Sequence, residues 1–573
     1  MPKRCQRVNA PPRPCQSFAH PIASANQPMS KGFAMRSTMI ALTLAASTLA
    51  LAAPSAAQTD RVQINRIIEE GTNQSQVMVN AQYLMDMIGP RLTNSPGMRK
   101  AEAWTQAKFA EWGLKNVRKE GFDFGRGWWI ERASVRMVSP RPIQLAAIPI
   151  AWTPGTNGTI TAPVIVAPIT AERHFDAWRG KLSGKIVMVS RPTNGSEVTE
   201  PPFERLTGDQ IAKLDSFRQP RYDPAAADRR VRRLDFAKKL DAFLKAEGAV
   251  AYATESYRDG GLLHGEGYLF GVGDTPSLPG IQLAAEDYRR LARIAKVGAA
   301  PTLEIISDVR FDDSDTQAYN IIAEIPGTDP RAGYVMAGGH LDSWVAGDGA
   351  TDDGAGVMMV MEAARILSKL GIRPKRTIRF ALWSGEEQGI LGSLAYVERH
   401  LATRGTGQNN QKGLARYMGW SNRWPVTPQP GYNDLAAYFN IDNGGGKLRG
   451  IYAENNQAVV PILREWLSPF ASLGAGNVVI AKTGGTDHVF MQQVGVPGFQ
   501  FIQDPLDYDS RTHHSSADTF DKLKGDDMRQ GSIVLAGMLL QAANADQPLP
   551  RNPLPQQPVV TDPFAYPDPD EER

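Results

Sequence analysis

Tyr334-Val-Met-Ala-Gly-Gly-His340-Leu-Asp342, followed by Gly347-Asp-Gly-Ala-Thr-Asp352-Asp353-Gly-Ala-Gly356 and then the helical run Val357 to Leu370, is the stretch that decides the fold. A short apolar run reads as a buried strand, a glycine-rich piece as a loop, and three- and four-residue apolar spacing as a helix. Strand, loop and long helix in that order are the unit of an α/β sheet that is mostly parallel and flanked by helices. Further strands are expected at Asn320 to Ile325, Thr377 to Ser384 and Leu435 to Asp442.

Upstream the texture changes twice. Arg61 to about Leu114 has helical spacing and ends in a strand-like run near Val117. From about Gly127 short β-rich runs take over: Ala133 to Val138, Ile143 to Trp152, Ile160 to Val166 and Lys185 to Ser190. A charged helical stretch, Phe203 to Ala246, leads into Gly248 to Tyr252, a helix Ala284 to Val297 and a strand Thr302 to Val309. The economical reading is one α/β domain, 58–127 and 310–545, split by a β-rich insert at 128–309. The remainder, 546–573, is a Pro-rich and then acidic tail, expected to be extended and partly mobile.

Length and composition bound the function. The chain has 573 residues, too many for one ordinary core. Its 63 basic and 60 acidic side chains nearly cancel, which predicts no nucleic-acid surface. Arg36, the apolar run Met39 to Ala53 and the small residues around Pro54 to Gln58 read as a secretory signal, so 1–57 is expected to be leader and signal peptide. The run is shorter than the roughly 20 residues of a spanning helix. No stable membrane span is expected after cleavage, and the protein is expected to be exported, to the periplasm or the extracellular space. Translation is expected to begin at Met29 or Met35 rather than Met1. Cys5 and Cys15 both lie in the leader, which removes disulfide and thiol chemistry from the mature chain.

Five places carry candidate chemistry. At the end of a strand, residues two apart project to one side, so Asp342 could accept a hydrogen bond from the His340 nitrogen that does not face a metal; a solvated loop pair is the alternative. Asp352 and Asp353 lie in a Gly-rich loop whose backbone can approach a cation, or else one of them caps the following helix. Glu386 and Glu387 end a buried strand at the carboxyl edge where α/β active sites assemble. Adjacent carboxylates suit a division of labour, one binding metal and the other taking a proton from water. Asp442 ends the run Leu435 to Phe439, and His513-His514 precedes Asp518; each alone is ambiguous. Nitrogen and oxygen donors without cysteine suit zinc, with cobalt or manganese as substitutes. Five ligands exceed one tetrahedral catalytic site and suit two ions sharing a carboxylate.

The order His, Asp, Glu-Glu, Asp, His resembles the di-zinc exopeptidase family that contains bacterial leucyl aminopeptidase and the glutamate carboxypeptidases, whose fold is the zinc-exopeptidase, phosphorylase/hydrolase-like sheet. Gly484-Gly-Thr-Asp-His488, Gly495 to Asp504 and Thr512-His-His-Ser515 resemble its plasma glutamate carboxypeptidase (carboxypeptidase Q) branch, and the insert resembles a protease-associated (PA) domain. The resemblance spans roughly residues 60 to 545. It implies two Zn2+ ions, Asp352 bridging them and joined to Asp353 by a cis peptide. His340 and Asp442 would complete one site and Glu387 and His514 the other, with Glu386 as general base and Asp342 orienting His340. Relatives often carry Tyr where this chain has His513, so His513 is a candidate oxyanion donor, and His488 is a candidate pocket residue. The implied partner is a short peptide, cleaved as by a dipeptidase, aminopeptidase or carboxypeptidase, and the implied assembly includes a homodimer. Arg511 is a candidate clamp for a substrate carboxylate. The rival readings are an aminoacylase-type di-zinc amidohydrolase, glutaminyl cyclase chemistry, and a non-catalytic protein that binds peptides through the PA-like insert.

Overall fold

The strand Tyr334–His340 lies between Thr377–Trp383 and Leu435–Asn440 and runs parallel to both. All seven of its residues are buried, which is why the run is continuously apolar or small rather than alternating. It extends past the apolar run Tyr334 to Ala337. Gly338 and Gly339 stay in the strand, because a Cβ on Gly339 would stand 2.4 Å from Asp353 Oδ2. The missing side chain lets that carboxylate reach in and accept the His340 N–H at 3.1 Å. His340 is therefore delivered as the last residue of the strand.

A computed structural model describes residues 61–195, 201–217, 225–405 and 413–558. The leader and signal expected at 1–57 and the acidic end of the tail lie outside them. The main sheet has eight strands in the order Lys115–Asp123, Gln317–Ile325, Thr377–Trp383, Tyr334–His340, Leu435–Asn440, Gly498–Gln503, Leu448–Tyr452, Asn477–Val479. Its centre is parallel, and antiparallel pairs flank that centre on both sides. The helix Ala355–Lys369 packs on the long helix Gly525–Asn544, and both contribute to the main apolar core.

A second eight-stranded sheet is drawn from residues between Gly127 and Asp312. Its longest ladder pairs Gly127–Ser139 with Thr302–Asp312, antiparallel. That ladder continues the antiparallel pair Lys115–Asp123 and Gln317–Ile325 of the main sheet, so the chain leaves and re-enters the main sheet along neighbouring strands. The charged stretch after Phe203 contains two helices, Gly208–Leu214 and Ala226–Ala246. No described helix is long and apolar enough to cross a membrane.

The described part of the tail, up to residue 558, is extended and held by contacts. Leu549 is buried in the main core, Asn456 donates to the Pro550 carbonyl at 2.8 Å, and Arg551 donates to the Leu435 carbonyl at 2.6 Å. The described tail is extended but pinned across the ends of sheet strands rather than loose.

Candidate metal centre

The carboxyl ends of the central strands converge. His340 ends its strand, Glu386 and Glu387 follow Trp383, Asp442 follows Asn440, and His514 comes after the strand Gly498–Gln503. Between them lies Asp352, with one oxygen toward each histidine. Its Oδ1 is 3.2 Å from His340 Nε2 and its Oδ2 is 3.4 Å from His514 Nε2. Asp442 Oδ1 is 3.7 Å from His340 Nε2, and Glu387 Oε2 is 3.0 Å from His514 Nε2. Glu386 Oε2 is 3.9 Å from His340 Nε2. The peptide joining Asp352 and Asp353 is cis.

These groups fit zinc. His340 Nε2 and Glu387 Oε1 are buried without a hydrogen-bond partner among the described residues, in a pocket whose donors are imidazole nitrogens and carboxylate oxygens. So many buried carboxylates repel one another. Burial pushes Glu386 well above the usual carboxylate range; the positive His340 opposes this, while Asp442, Asp487 and Glu387 add to it. Glu387 is pushed up to about 7, by burial first and then by Asp352, against the pull of His514. Asp352 goes the other way: burial would raise it, but the close approach of His340 Nε2 and the positive charges of His514 and His340 hold it below its ordinary value.

The loops are held by buried polar groups. Arg91 is fully buried and donates to the carbonyls of Gly89, Leu341, Asp348 and Gly349 at 3.1, 2.7, 2.6 and 2.8 Å. Gly349 has a φ of 60°, and a Cβ there would meet the Ser343 side chain at 2.3 Å. Asp518 accepts the Thr351 N–H at 2.7 Å and the Asp352 N–H at 3.1 Å, and the buried Tyr508 hydroxyl donates to Asp352 Oδ2 at 3.1 Å. Asp353 accepts the Gly356 N–H at 2.9 Å at the start of the following helix, as a capping residue would.

Asp342 does something other than expected. The atom 3.0 Å from His340 Nδ1 is its main-chain carbonyl oxygen, while its carboxylate Oδ1 is 3.9 Å away. The carboxylate is occupied instead by the N–H groups of Glu386 and Glu387, at 3.2 and 3.3 Å, and by the Thr93 hydroxyl at 3.2 Å. His513 stacks on His514 with ring centroids 3.7 Å apart and faces the same cavity. His488 does not line that cavity; fully buried, it meets the Thr483 hydroxyl at 2.9 Å and Glu454 Oε1 at 3.4 Å. Arg511 is exposed and does not line it either.

Reasoning from sequence missed Glu266, Tyr508 and Asp487. Glu266 Oε1 lies 2.9 Å from His514 Nδ1. Asp487 is fully buried, accepts from the Ser393 hydroxyl at 2.5 Å, and leaves Oδ2 without a hydrogen-bond partner among the described residues. Burial, reinforced by Asp442 and Asp342 against the pull of His340 and the Ser393 bond, pushes its carboxyl up to about 8.

A cavity of about 680 Å³ opens over Glu386, Glu387, His513 and His514, and its other wall comes from the second sheet's segment, including Ile150, Glu266 and Tyr268. The arrangement gives a cluster of candidate metal donors with an adjacent carboxylate beside an open, partly apolar pocket.

Comparison with known proteins agrees with this arrangement. Residues 320–538 match the profile of Peptidase family M28. Carboxypeptidase Q of Mus musculus is 27% identical over 470 residues, covering 82% of this chain and 86% of that protein. Among solved structures, the peptidase M28 precursor from Shewanella amazonensis superposes with a TM-score of 0.61 at 22% identity, covering 87% of this chain and 100% of that one. A zinc aminopeptidase from Bacillus subtilis gives a TM-score of 0.53 at 16% identity, covering 82% and 95%, and these two likenesses concern the fold. Profile, relatives and converging strand-end acids and histidines together identify the chain as a peptide hydrolase, similar over residues 320–538 to peptidase family M28.

Proposed function

We propose that the protein is an exported di-zinc exopeptidase acting on short peptides. The observation that carries this reading is Asp352, whose two oxygens each face a different histidine, His340 at 3.2 Å and His514 at 3.4 Å. His340, Asp352 and Asp442 would hold one ion and Asp352, Glu387 and His514 the other. When bound, the ions supply Lewis acidity, which polarises the peptide carbonyl and makes water a better acid.

The chain's own groups do the rest. Glu386 stands beside the donor set on a turn fixed by Asp342, which accepts the N–H of Glu386 and of Glu387. In this reading Glu386 takes one proton from the attacking water. The water oxygen bonds to the carbonyl carbon, the C–N bond breaks, and Glu386 returns that proton to the leaving amine nitrogen. A carboxyl raised by burial suits both halves of this exchange. His513 would donate toward the developing oxyanion, a role supported by its stacking on His514 and its position on the cavity lining.

In this reading residues 58–127 and 310–545 are the peptidase domain and 128–309 a PA-like insert; the paired strand ends Asp123 with Gln317 and Gly127 with Asp312, where one sheet gives way to the other, support it. The insert walls the cavity, which favours short substrates over folded ones. The arginines on that wall, Arg230 and Arg233, support recognition of a free carboxylate. Export rests on the run Met39 to Gln58.

The test is hydrolysis of unblocked, N-blocked and C-amidated dipeptides and of N-acyl amino acids, before and after chelation. The reading expects loss on chelation, recovery with zinc, and a preference for unblocked peptides. Full activity in metal-free protein would overturn it, and a preference for N-acyl amino acids would point to the aminoacylase-type alternative.

A further inference from the structure

Two histidines serve the proposed metal centre, and their outward-facing nitrogens are held in different ways. His340 Nδ1 meets a carbonyl of its own strand end, Asp342 O, at 3.0 Å. His514 Nδ1 meets a side chain from a loop of the second sheet's segment, Glu266 Oε1, at 2.9 Å and across 248 residues of sequence.

Glu266 is fixed from several sides. It accepts the Tyr257 hydroxyl on Oε1 at 3.1 Å and the Tyr268 hydroxyl on Oε2 at 3.2 Å. The neighbouring N–H groups of His264 and Gly265 both donate to Gln282 Oε1, at 2.6 and 3.2 Å. The same loop is tied to the segment that carries His514. Ser516 N–H donates to the Leu263 carbonyl at 2.8 Å, Leu263 N–H donates to Ser516 Oγ at 3.2 Å, and Arg258 donates to the His513 carbonyl at 3.2 Å. His514 itself has a φ of 60°, a conformation a non-glycine residue keeps when its surroundings hold it there. Trp344 packs edge-on against its ring, with centroids 6.0 Å apart.

We propose that Glu266 is the positioning residue for His514, so that one of the two metal half-sites is completed from the insert. This inference rests on the di-zinc reading above. A carboxylate accepting the Nδ1 proton fixes the tautomer that leaves the Nε2 lone pair toward Glu387 and Asp352, and it makes that nitrogen a stronger donor. The two tyrosine hydroxyls, donating to the same carboxylate, keep it aimed at the ring. The His340 half-site needs no such help, because its orienting acceptor is main chain. The half-sites should therefore respond differently to loss of one insert side chain.

The experiment is zinc binding to the full-length protein in graded metal buffers, with Glu266→Ala, Glu266→Gln and unaltered protein compared, and thermal unfolding recorded for each. The unaltered protein is expected to hold two equivalents. Glu266→Ala is expected to weaken one of them about 10- to 100-fold, the range typical of losing such an outer partner, and to leave the other within about twofold. Glu266→Gln, which keeps an acceptor oxygen, should restore part of the loss. In a His514→Ala background, Glu266→Ala should cause no further change. Two undisturbed equivalents in Glu266→Ala, or equal weakening of both, would overturn the assignment. Fewer than two equivalents in the unaltered protein would strike the di-zinc reading itself, and this inference with it.

Discussion

Asp342 accepts the main-chain N–H of Glu386 on its Oδ1 at 3.2 Å, from a position with no solvent exposure. The same carboxylate accepts the Glu387 N–H, so one buried acid sets the turn that aims both glutamates. Asp342→Asn would replace one acceptor oxygen by an NH2 group that faces an N–H. Losing a buried charge-assisted bond costs about 1.5–3 kcal/mol. The expected outcome is a fall in kcat of roughly 10- to 100-fold with a smaller change in KM, measured on a dipeptide with zinc in excess.

Tyr508 donates to Asp352 Oδ2 on the same side as His514. Burial, with the charges of Asp352, Asp442 and Glu387 behind it, pushes its phenol well above the ordinary range, so it stays a donor through neutral and alkaline pH. Tyr508→Phe is expected to weaken zinc binding and to lower stability by about 1–2 kcal/mol. It should add no new limb to the pH profile. Equilibrium unfolding in urea and metal titration check these outcomes.

The metal-free protein should respond to pH in a definite direction. The folded carboxyl of Glu387 is raised from 4.5 to about 7, by burial first. His340 and His514 are also raised: burial works against protonation, but the surrounding carboxylates, led by Glu386 for one and Glu387 for the other, outweigh it. In all three the folded state holds protons more tightly than the unfolded chain. Their contribution is therefore most favourable at low pH and is lost as pH rises through the folded values. Zinc requires the deprotonated ligands, so binding releases protons and tightens with pH. The difference in Tm between zinc-loaded and metal-free protein is expected to widen from pH 5 to pH 8. Calorimetric titration in buffers of unequal ionisation enthalpy should record net proton release.

The cavity that Glu386 lines is also lined by Arg230, on the helix Ala226–Ala246, and by Tyr417, on which the Arg230 charge acts. Arg230→Ala is expected to raise KM several-fold for free dipeptides and to leave C-amidated peptides nearly unaffected. A parallel rise for both would remove Arg230 from carboxylate recognition.

The main sheet and the convergence of the proposed donor residues were legible for one physical reason: buried parallel strands are apolar throughout, so the polar residues that follow them stand out at the sheet's edge. His340, Glu386-Glu387 and Asp442 each follow such a run. What was not legible depends on packing between distant segments. Glu266 lies in a loop without periodicity, 248 residues before the histidine it meets. Strand-end geometry gave the side on which Asp342 lies but not which of its oxygens meets His340. His488 drew notice as a histidine, although its neighbour Asp487 is the one whose charge acts on Glu386. The prolines of the tail suggested looseness, but Leu549 and Arg551 supply the contacts that pin it.

In the proposed mechanism Glu386 moves the proton and does not hold metal, and Glu386→Gln separates these two roles. Zinc content and dipeptide turnover are to be measured on the same preparation. Both zinc equivalents are expected to remain while kcat falls by about 10²- to 10⁴-fold, the usual worth of a general base. Turnover at the level of the unaltered protein, or loss of zinc along with the activity, would contradict it.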